Sequence, residues 1–251
     1  MARLTAEYIR DGTLSMSSQQ RYQVLAQLDQ QIVDQARQLG AVDLEHTTNI
    51  LKESYQQSYY RTAYTLDRGL QQPVSFSLLR PEFVEASVNM PLAGERFSDR
   101  IWHNKEKLVA RTRSLVQRSM IDGADPVKLA RELKREFGTS AYESTRLVRN
   151  EVARCTRMAQ DQIYSDSQVV SEVMFDATLD GLTSEICKDL DGERYPIDQK
   201  PEIPDDTHVG CRSDYIPVVD GWEPSQKFDN EEKQLIDYSS YPKWAESQGI
   251  T

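Results

Sequence analysis

Apolar residues recur at three- and four-residue steps through most of the first 167 residues, and this spacing restricts the fold more than any other feature. A period of this kind places apolar side chains on one face of an α-helix. The first stripe ends at Leu39, and the following Gly40 is placed to end a helix. The second stripe begins at Asp43, which can cap the first turn of a new helix. Two long helices and a short turn predict an N-terminal helical hairpin over residues 1–72.

The second stripe is rich in tyrosine and includes Tyr55 and Tyr59. One interpretation is the buried face of an amphipathic helix. The other is a surface that binds a partner protein, because tyrosine suits interfaces that are half in water. The hairpin is therefore a candidate partner-binding arm as well as a packed element.

Residues 73–97 are broken by prolines and form a predicted linker, with one short helix from Pro81 to Val88. The helical pattern returns in residues 98–167, the predicted central helical region. Helix boundaries there are predicted at residues that cap or stop helices: Ser98, Gly123, Asp125, Gly138 and Ser140. Cys155 lies on the apolar stripe of the last of these helices, so we interpret it as a small core residue.

The pattern changes to β-branched residues after position 167. Three strands are predicted, within residues 169–178, 192–197 and 211–219. Thr183 is the predicted cap of a short helix that follows the first strand. Residues 168–219 thus form a predicted small α+β module, and residues 220–251 an acidic peripheral tail with a short helix near Glu231 to Tyr238. The fold class predicted for the chain is α+β and mostly α-helical.

Composition limits the class of protein. Hydrophobic residues make up 38% of the chain and the mean hydropathy is -0.65, which favours helices that complete their burial against partner molecules. No run reaches the roughly 18 apolar residues that a membrane span needs. The first residues contain no apolar segment typical of a secretory signal, so we expect no membrane partner. Three widely spaced cysteines argue against a disulfide framework and favour a reducing compartment.

Charge is distributed unevenly along the chain. Residues 97–160 carry 14 Lys and Arg against 8 Asp and Glu, a net charge of +6. Residues 161–251 carry 7 basic and 21 acidic residues, a net charge of -14. A DNA-binding accessory protein that uses residues 97–160 is one interpretation of the basic middle. Ordinary solvated helix surfaces are the other, because no arginine cluster is interleaved with aromatic residues.

Cys187, His208 and Cys211 are candidate metal ligands, and the spacing His208-x-x-Cys211 suits zinc. Asp180, Asp206 or water could supply a fourth ligand. Serines stand at positions 184 and 213, where cysteines would complete a Cys-x-x-Cys or a Cys-x-Cys pair. The alternative is a metal-free module in which both cysteines are buried and the histidine bonds to the backbone.

The histidines raise the question of nuclease chemistry. A histidine–metal nuclease needs its histidine base and its ligands in one place. His46, His103 and His208 lie in three separate regions, so no catalytic residue is assigned and no enzyme is expected. A metal-dependent hydrolase or nuclease centred on His208 and Cys211 stays as an alternative.

Arg149 and Glu151 lie off the apolar stripe of their helix. They could form a catalytic pair, or they could form ion pairs with a neighbouring helix or with the C-terminal module. Exposed ion pairs contribute less than about 1 kcal/mol, so such pairs would mainly fix the register of packing. We expect the C-terminal module to pack on this helix through both residues.

Short motifs follow one another from the long helix onward. They are Arg149-Asn150-Glu151, Thr178-Leu179-Asp180, Thr183-Ser184, Cys187, Leu190-Asp191-Gly192 and His208-x-x-Cys211-Arg212-Ser213. In this order, with a strand after the first and an acidic proline-containing loop before the last, they resemble the phage head morphogenesis or minor capsid proteins of the Mu F-like type. The resemblance covers about residues 97–219.

The resemblance implies a minor structural protein of a tailed-phage head that associates with the portal protein and acts in capsid assembly. It also implies contacts with the major capsid or scaffolding protein, and with packaged DNA during packaging or ejection. Such a protein is found in the host cytoplasm during assembly and then in the virion, inside the capsid near the portal. The structural motif residues that it implies are Arg149, Glu151, Asp180, Thr183, Leu190, Asp191, Gly192 and Arg212. Many members carry cysteine at the positions of Ser184 and Ser213, so no cofactor is assigned beyond zinc as a candidate.

Overall fold

The structure is a computed structural model that describes residues 9–10, 13–14, 17–70, 74–92, 94–122, 126–222 and 224–247. Its helices are α1 (Ser18–Leu70), α2 (Pro81–Val88), α3 (Phe97–Asp122), α4 (Pro126–Ser167), α5 (Glu185–Leu190) and α6 (Tyr241–Ser247). Its strands are β1 (Ile9–Arg10), β2 (Thr13–Leu14), β3 (Glu172–Asp176), β4 (Arg194–Pro196), β5 (Asp214–Val218), β6 (Gln226–Asp229) and β7 (Gln234–Asp237). Long helices thus dominate the chain, and most of the short antiparallel strands follow them, which confirms the predicted mostly helical α+β class.

The predicted break at Gly40 is wrong, because α1 continues through it as one helix of 53 residues. A Cβ atom at Gly40 would overlap the ring of Trp102 in α3, so this glycine allows a close approach between two helices. The residues of the predicted hairpin therefore form a single helix. This helix ends at Leu70, close to the predicted limit of the hairpin at residue 72.

The predicted break between Gly138 and Ser140 is also wrong, because α4 runs without interruption from Pro126 to Ser167. Ser140 is buried inside the helix instead of capping a new one. The short helix α2, the first turn of α3 and the proline at the start of α4 lie where the sequence predicts them. The predicted boundaries at Gly123 and Asp125 lie outside the described residues.

The chain forms two compact units that are each discontinuous in sequence. Unit 1 contains residues 1–50 and 89–149, and unit 2 contains residues 51–88 and 150–251. The domain boundaries drawn from the sequence stay a prediction. No described helix combines the length and the apolar character that a membrane crossing requires.

In unit 1, α3 packs on the first part of α1. Val116 is buried against four partly buried residues of α1: Val24, Leu25, Leu28 and Ile32. Lys105 of α3 is buried and pairs with Asp43 at 2.6 Å, and Arg113 pairs with Asp29. These two ion pairs add to the apolar contacts between the two helices.

In unit 2, α4 packs on the last part of α1. Tyr55 and Tyr59 are both buried, and their hydroxyls donate hydrogen bonds to Gln162 at 2.6 Å and Asp166 at 2.7 Å. The buried hydroxyls thus have partners, as the interior requires. The tyrosine stripe of α1 is a core face, and Cys155 is a fully buried residue of the same core.

The sheet of unit 2 has the order β4–β3–β5, with β3 antiparallel to both neighbours. All three strands lie within the predicted ranges. Val173 and Phe175 of β3 are fully buried, and the ring of Phe175 meets that of Tyr215 edge to face at 5.2 Å. Aromatic pairs of this geometry stabilise the sheet beyond their buried area.

The predicted helix near Glu231 to Tyr238 is wrong, because β6 and β7 form an antiparallel hairpin there. The carboxylate of Asp229 accepts hydrogen bonds from the backbone of Glu231 and Glu232, which folds the chain back at this point. The predicted peripheral tail is also wrong. Tyr241 and Trp244 of α6 are buried together with Leu179 in a satellite core.

Candidate metal centre and its supporting module

Cys187, His208 and Cys211 converge in unit 2, as the sequence predicts. Cys187 lies on the first turns of α5, and the other two residues lie in the loop that leads into β5. The sulfur of Cys187 is 3.4 Å from Nε2 of His208 and 3.5 Å from the sulfur of Cys211. All three ligand atoms lie within 4.8 Å of one another, and both cysteines are buried.

These separations fit a zinc ion. A tetrahedral site with zinc–sulfur bonds near 2.3 Å separates two sulfurs by about 3.7 Å, and a sulfur from an imidazole nitrogen by about 3.6 Å. The two separations that involve the sulfur of Cys187 are within a few tenths of an ångström of these values, and the third is no longer than 4.8 Å. Two thiolates and one imidazole form a donor set that zinc accepts, so the residues present fit the ion.

The surroundings of the cluster orient the ligands for such a site. Nδ1 of His208 lies 3.3 Å from the carbonyl of Val209, which leaves Nε2 beside the sulfur of Cys187. Burial raises the pKa of the Cys211 thiol above its ordinary value, while its contacts with Ser213 lower it. A nearby cation would oppose the effect of burial and stabilise the thiolate.

The two predicted acidic ligands are engaged elsewhere. The carboxylate of Asp180 is bound by both ends of the Arg212 guanidinium, one of them at 2.7 Å, and accepts from the backbone of Leu182 at 2.9 Å. That guanidinium holds the pKa of Asp180 below its ordinary value. Asp206 accepts from the backbone of Glu202 at 2.7 Å. The described ligand cluster therefore contains three protein ligands, and solvent would complete a tetrahedron.

The two serines that replace potential ligands have structural contacts. Ser184 is the residue that caps α5, because its hydroxyl accepts from the backbone of Cys187 at 3.4 Å. The predicted cap at Thr183 is therefore wrong by one residue. Thr183 donates instead to the carbonyl of Thr178, which closes the turn between β3 and α5. Ser213 is buried beside Cys211.

The Leu190-Asp191-Gly192 turn connects three parts of the module. The buried carboxylate of Asp191 accepts from the backbone of Ala177 at 2.7 Å, from Lys227 of β6 at 2.8 Å and from the backbone of Tyr241. The chain then reverses at Gly192, whose φ of 88° favours glycine. Leu190 accepts from the backbone of Glu193, which tightens the turn.

The remaining motif residues lie apart from the cluster. Glu151 is fully buried and pairs with Arg154 one turn later at 2.7 Å, and Arg154 donates to the carbonyl of Val88 at 2.8 Å. Arg149 is exposed in unit 1. His46 and His103 also belong to unit 1, and His103 contacts Glu95 at 2.6 Å.

Two residues that position the module have no counterpart among the sequence-based candidates. Arg157 of α4 donates to the carbonyl of Cys211 at 2.8 Å and to that of Ser213 at 3.2 Å. Lys227 is buried between Asp176 and Asp191. Lys227 and Asp229 are two residues apart in a short strand, which places both charges on its buried face. This spacing is the feature of the sequence that could have indicated their role.

Comparison with known proteins identifies a matching family and a relative. Residues 110–216 match the model of the family described as Phage Mu protein F like protein. A relative named NAD(+)--arginine ADP-ribosyltransferase EFV, from Enterococcus faecalis (strain ATCC 700802 / V583), is 26% identical over 204 residues. That match covers 75% of this chain and 42% of the relative, so the chain spans less than half of the relative's length. No solved structure matches the chain.

The matched residues include the second half of α3, all of α4, the candidate metal ligands and the Asp191 turn. They lie within the segment for which the sequence motifs predict this family. The predicted resemblance is thus confirmed over this segment: residues 110–216, somewhat less than half of the chain, match the Mu F-like family of phage proteins.

Proposed function

We propose that this chain is a minor structural protein of a tailed-phage head, associated with the portal protein and active in capsid assembly. The observation that carries the proposal is the family match, which includes the long helix α4 and the module with the cysteines and the histidine. The chain acts in the host cytoplasm during assembly and remains in the virion, inside the capsid near the portal.

We further propose that the chain is not an enzyme. Its buried acidic groups are engaged in the fold: Glu151 with Arg154, Asp191 with Lys227, and Asp229 with Trp244. The activity in the name of the enterococcal relative belongs to that protein, more than half of whose length lies outside the match. Incubation with labelled NAD+ and an arginine acceptor should give no labelled product. Label transfer that depends on the chain would contradict this part of the proposal.

An exposed apolar surface in unit 2 supports a protein partner. It comprises five residues at the end of α1 and around α2: Tyr60, Tyr64, Phe76, Leu78 and Phe83. Leu78 is 80% exposed, and the rings of Tyr60 and Phe76 meet edge to face at 6.4 Å. Several exposed apolar side chains in one region, two of them in ring contact, are typical of a docking surface. Contacts with the portal, and with the major capsid or scaffolding protein, would cover them.

Co-purification with the portal protein tests the proposal. A tagged chain co-expressed with the portal protein of the same phage should retain that protein at fixed stoichiometry. The double variant Phe76→Ser with Leu78→Ser should lose the retention, because it removes apolar anchors. Phe137→Ser is a matched control, since Phe137 is an exposed aromatic residue of unit 1. A chain that neither retains the portal nor appears in purified virions would overturn the proposal.

We also propose that Cys187, His208 and Cys211 bind a structural zinc ion. The short separations of their ligand atoms and the buried setting of both sulfurs support it. Protein purified under reducing conditions should carry about one zinc per chain, and chelation should lower its melting temperature. Cys211→Ala should abolish zinc binding, whereas Cys155→Ala should keep it, because Cys155 lies in the helical core. Absence of zinc from the reduced protein would contradict this proposal.

The same variants separate a structural metal from a catalytic one. A phosphodiesterase activity that is lost with zinc in the Cys211→Ala variant would contradict a purely structural role. Zinc that affects only the melting temperature agrees with it.

A further inference from the structure

One exposed face of α4 carries a continuous stripe of positive charge. It comprises five residues: Lys128, Arg131, Arg135, Arg146 and Arg149. All five are exposed, and a helical rotation of 100° per residue places them within an arc of about 60°. At a rise of 1.5 Å per residue the basic stripe extends over about 31 Å. All of it belongs to unit 1.

Negative charge is segregated from the basic stripe. Residues 126–149 contain three acidic residues, Glu132, Glu136 and Glu143, and all three are half-buried. Glu136 and Glu143 face α3, where Arg111 lies 3.8 Å and 3.6 Å from their carboxylates. The glutamates thus lie between the buried face of α4 and the basic stripe. The basic stripe therefore keeps a net charge of about +5. On an ordinary solvated helix surface, acidic residues would be interspersed with the basic ones and would lower that charge.

We propose that the basic stripe binds the sugar–phosphate backbone of double-stranded DNA without reading its sequence. Four of the five basic residues are arginine, whose planar guanidinium binds phosphate in a bidentate manner. The length of the stripe is close to one turn of the duplex, about 34 Å, so the charges can follow the phosphates along one side.

The residues between the charges favour DNA over an acidic protein. Tyr142 lies in the middle of the basic stripe and is 67% exposed, and its hydroxyl can donate to a phosphate oxygen. The other positions in the middle of the stripe are Gly138 and Thr139, which are small and exposed. A protein interface needs large apolar anchors at its centre, and the basic stripe has no aliphatic side chain to supply them.

The family resemblance implies contact with packaged DNA, and the basic stripe supplies the surface for it; this role rests on the proposed head function. It is tested on the purified full-length chain without a portal protein. Failure of DNA binding is therefore distinct from failure of portal co-purification.

Fluorescence anisotropy with a labelled duplex of about 30 base pairs is the measurement. Each neutralised phosphate contributes a slope of about -0.9 to the logarithmic salt dependence of the binding constant. With four or five contacts, affinity should fall about 10²- to 10³-fold between about 50 mM and about 200 mM salt. Duplexes of unrelated sequence should bind alike.

Two variants locate the binding surface. The double variant Arg146→Gln with Arg149→Gln should bind at least about 10-fold more weakly at low salt, and its salt slope should be smaller by about 2. The matched control Lys233→Gln with Lys243→Gln changes the net charge equally, on exposed residues outside α4, and should bind like the parent protein. Circular dichroism and melting temperature confirm that each variant is folded.

Three outcomes would overturn the inference. The first is the absence of DNA binding at low salt. The second is an equal loss of affinity in the stripe variant and in the control variant, which would indicate a general charge effect. The third is stripe-dependent binding of polyglutamate with no binding of DNA, which would assign the basic stripe to an acidic protein.

Discussion

The guanidinium of Arg157 donates a hydrogen bond of 2.8 Å to the backbone carbonyl of Cys211. The same side chain donates to the carbonyl of Ser213 and lies 3.7 Å from the carboxylate of Asp214. One residue of α4 therefore holds the segment that carries a candidate zinc ligand and begins β5. The long helix of the family match positions the metal cluster through this contact.

Replacing Arg157 by glutamine should destabilise unit 2. The variant leaves two backbone carbonyls without their charged donor, at a cost of about 2–4 kcal/mol in the free energy of unfolding. Chemical denaturation measures the loss. Arg146→Gln is the control, because Arg146 is an exposed arginine of the same helix, and it should change stability by less than about 0.5 kcal/mol. Equal stability of the two variants would show that the Arg157 contacts contribute nothing.

Asp191 and Lys227 should be energetically coupled. Neither side chain is exposed. Asp191→Ala would leave the lysine with the carboxylate of Asp176 at 3.0 Å, while two backbone amides lose an acceptor. We expect Asp191→Ala to cost about 3–5 kcal/mol. The double variant with Lys227→Met should be less unstable than the sum of the two single variants, because it removes both partners of the buried Asp191–Lys227 pair together. Denaturation of all four proteins checks this, and strict additivity would refute the coupling.

The ion pair of Asp180 and Arg212 should make the stability of the protein depend on pH in the acid range. The arginine holds the pKa of Asp180 below its ordinary value, so the ionised carboxylate stabilises the fold above the unfolded pKa of about 3.9. This contribution is lost as the pH falls through the lower pKa of the folded state. Arg212→Gln should therefore be less stable than the parent at about pH 6, and the difference should shrink towards about pH 2.5.

Thermal unfolding across that pH range measures the effect. Lys243→Gln is the control, since Lys243 is an exposed lysine outside the pair, and its small difference from the parent should not change with pH. A difference between Arg212→Gln and the parent that stays constant to the lowest pH would contradict the assignment.

Local patterns were sufficient to predict much of this fold. Three strands, the helices α2 and α3 and the convergence of Cys187, His208 and Cys211 follow from spacing and from turn chemistry that act over a few residues. These features depend on neighbours in the sequence, so a single chain is enough to predict them.

The C-terminal hairpin depends on distant residues and was not predictable in the same way. Residues 226–237 are polar and acidic, which is typical of a solvated tail. Lys227 and Asp229 are buried only because Asp191 and Trp244, far along the chain, supply their partners. The sequence shows the charges but not what lies opposite them, and the same holds for Arg157 of α4.

The two internal helix glycines give a matched pair for a last prediction. A methyl group at Gly40 would overlap the indole of Trp102, whereas nothing lies within 4 Å of one at Gly138. Gly138→Ala should therefore stabilise the protein by about 0.5–1 kcal/mol, because alanine favours the helix. Gly40→Ala should lose that gain and destabilise it by about 1–3 kcal/mol, because α1 and α3 must move apart. Chemical denaturation measures the free energy of unfolding of both variants. The double variant Gly40→Ala with Trp102→Leu should be more stable than Gly40→Ala alone, because the smaller side chain makes room for the methyl group. Stabilisation by alanine at both positions would mean that Gly40 is not a contact glycine and that the close approach of α1 and α3 does not exist.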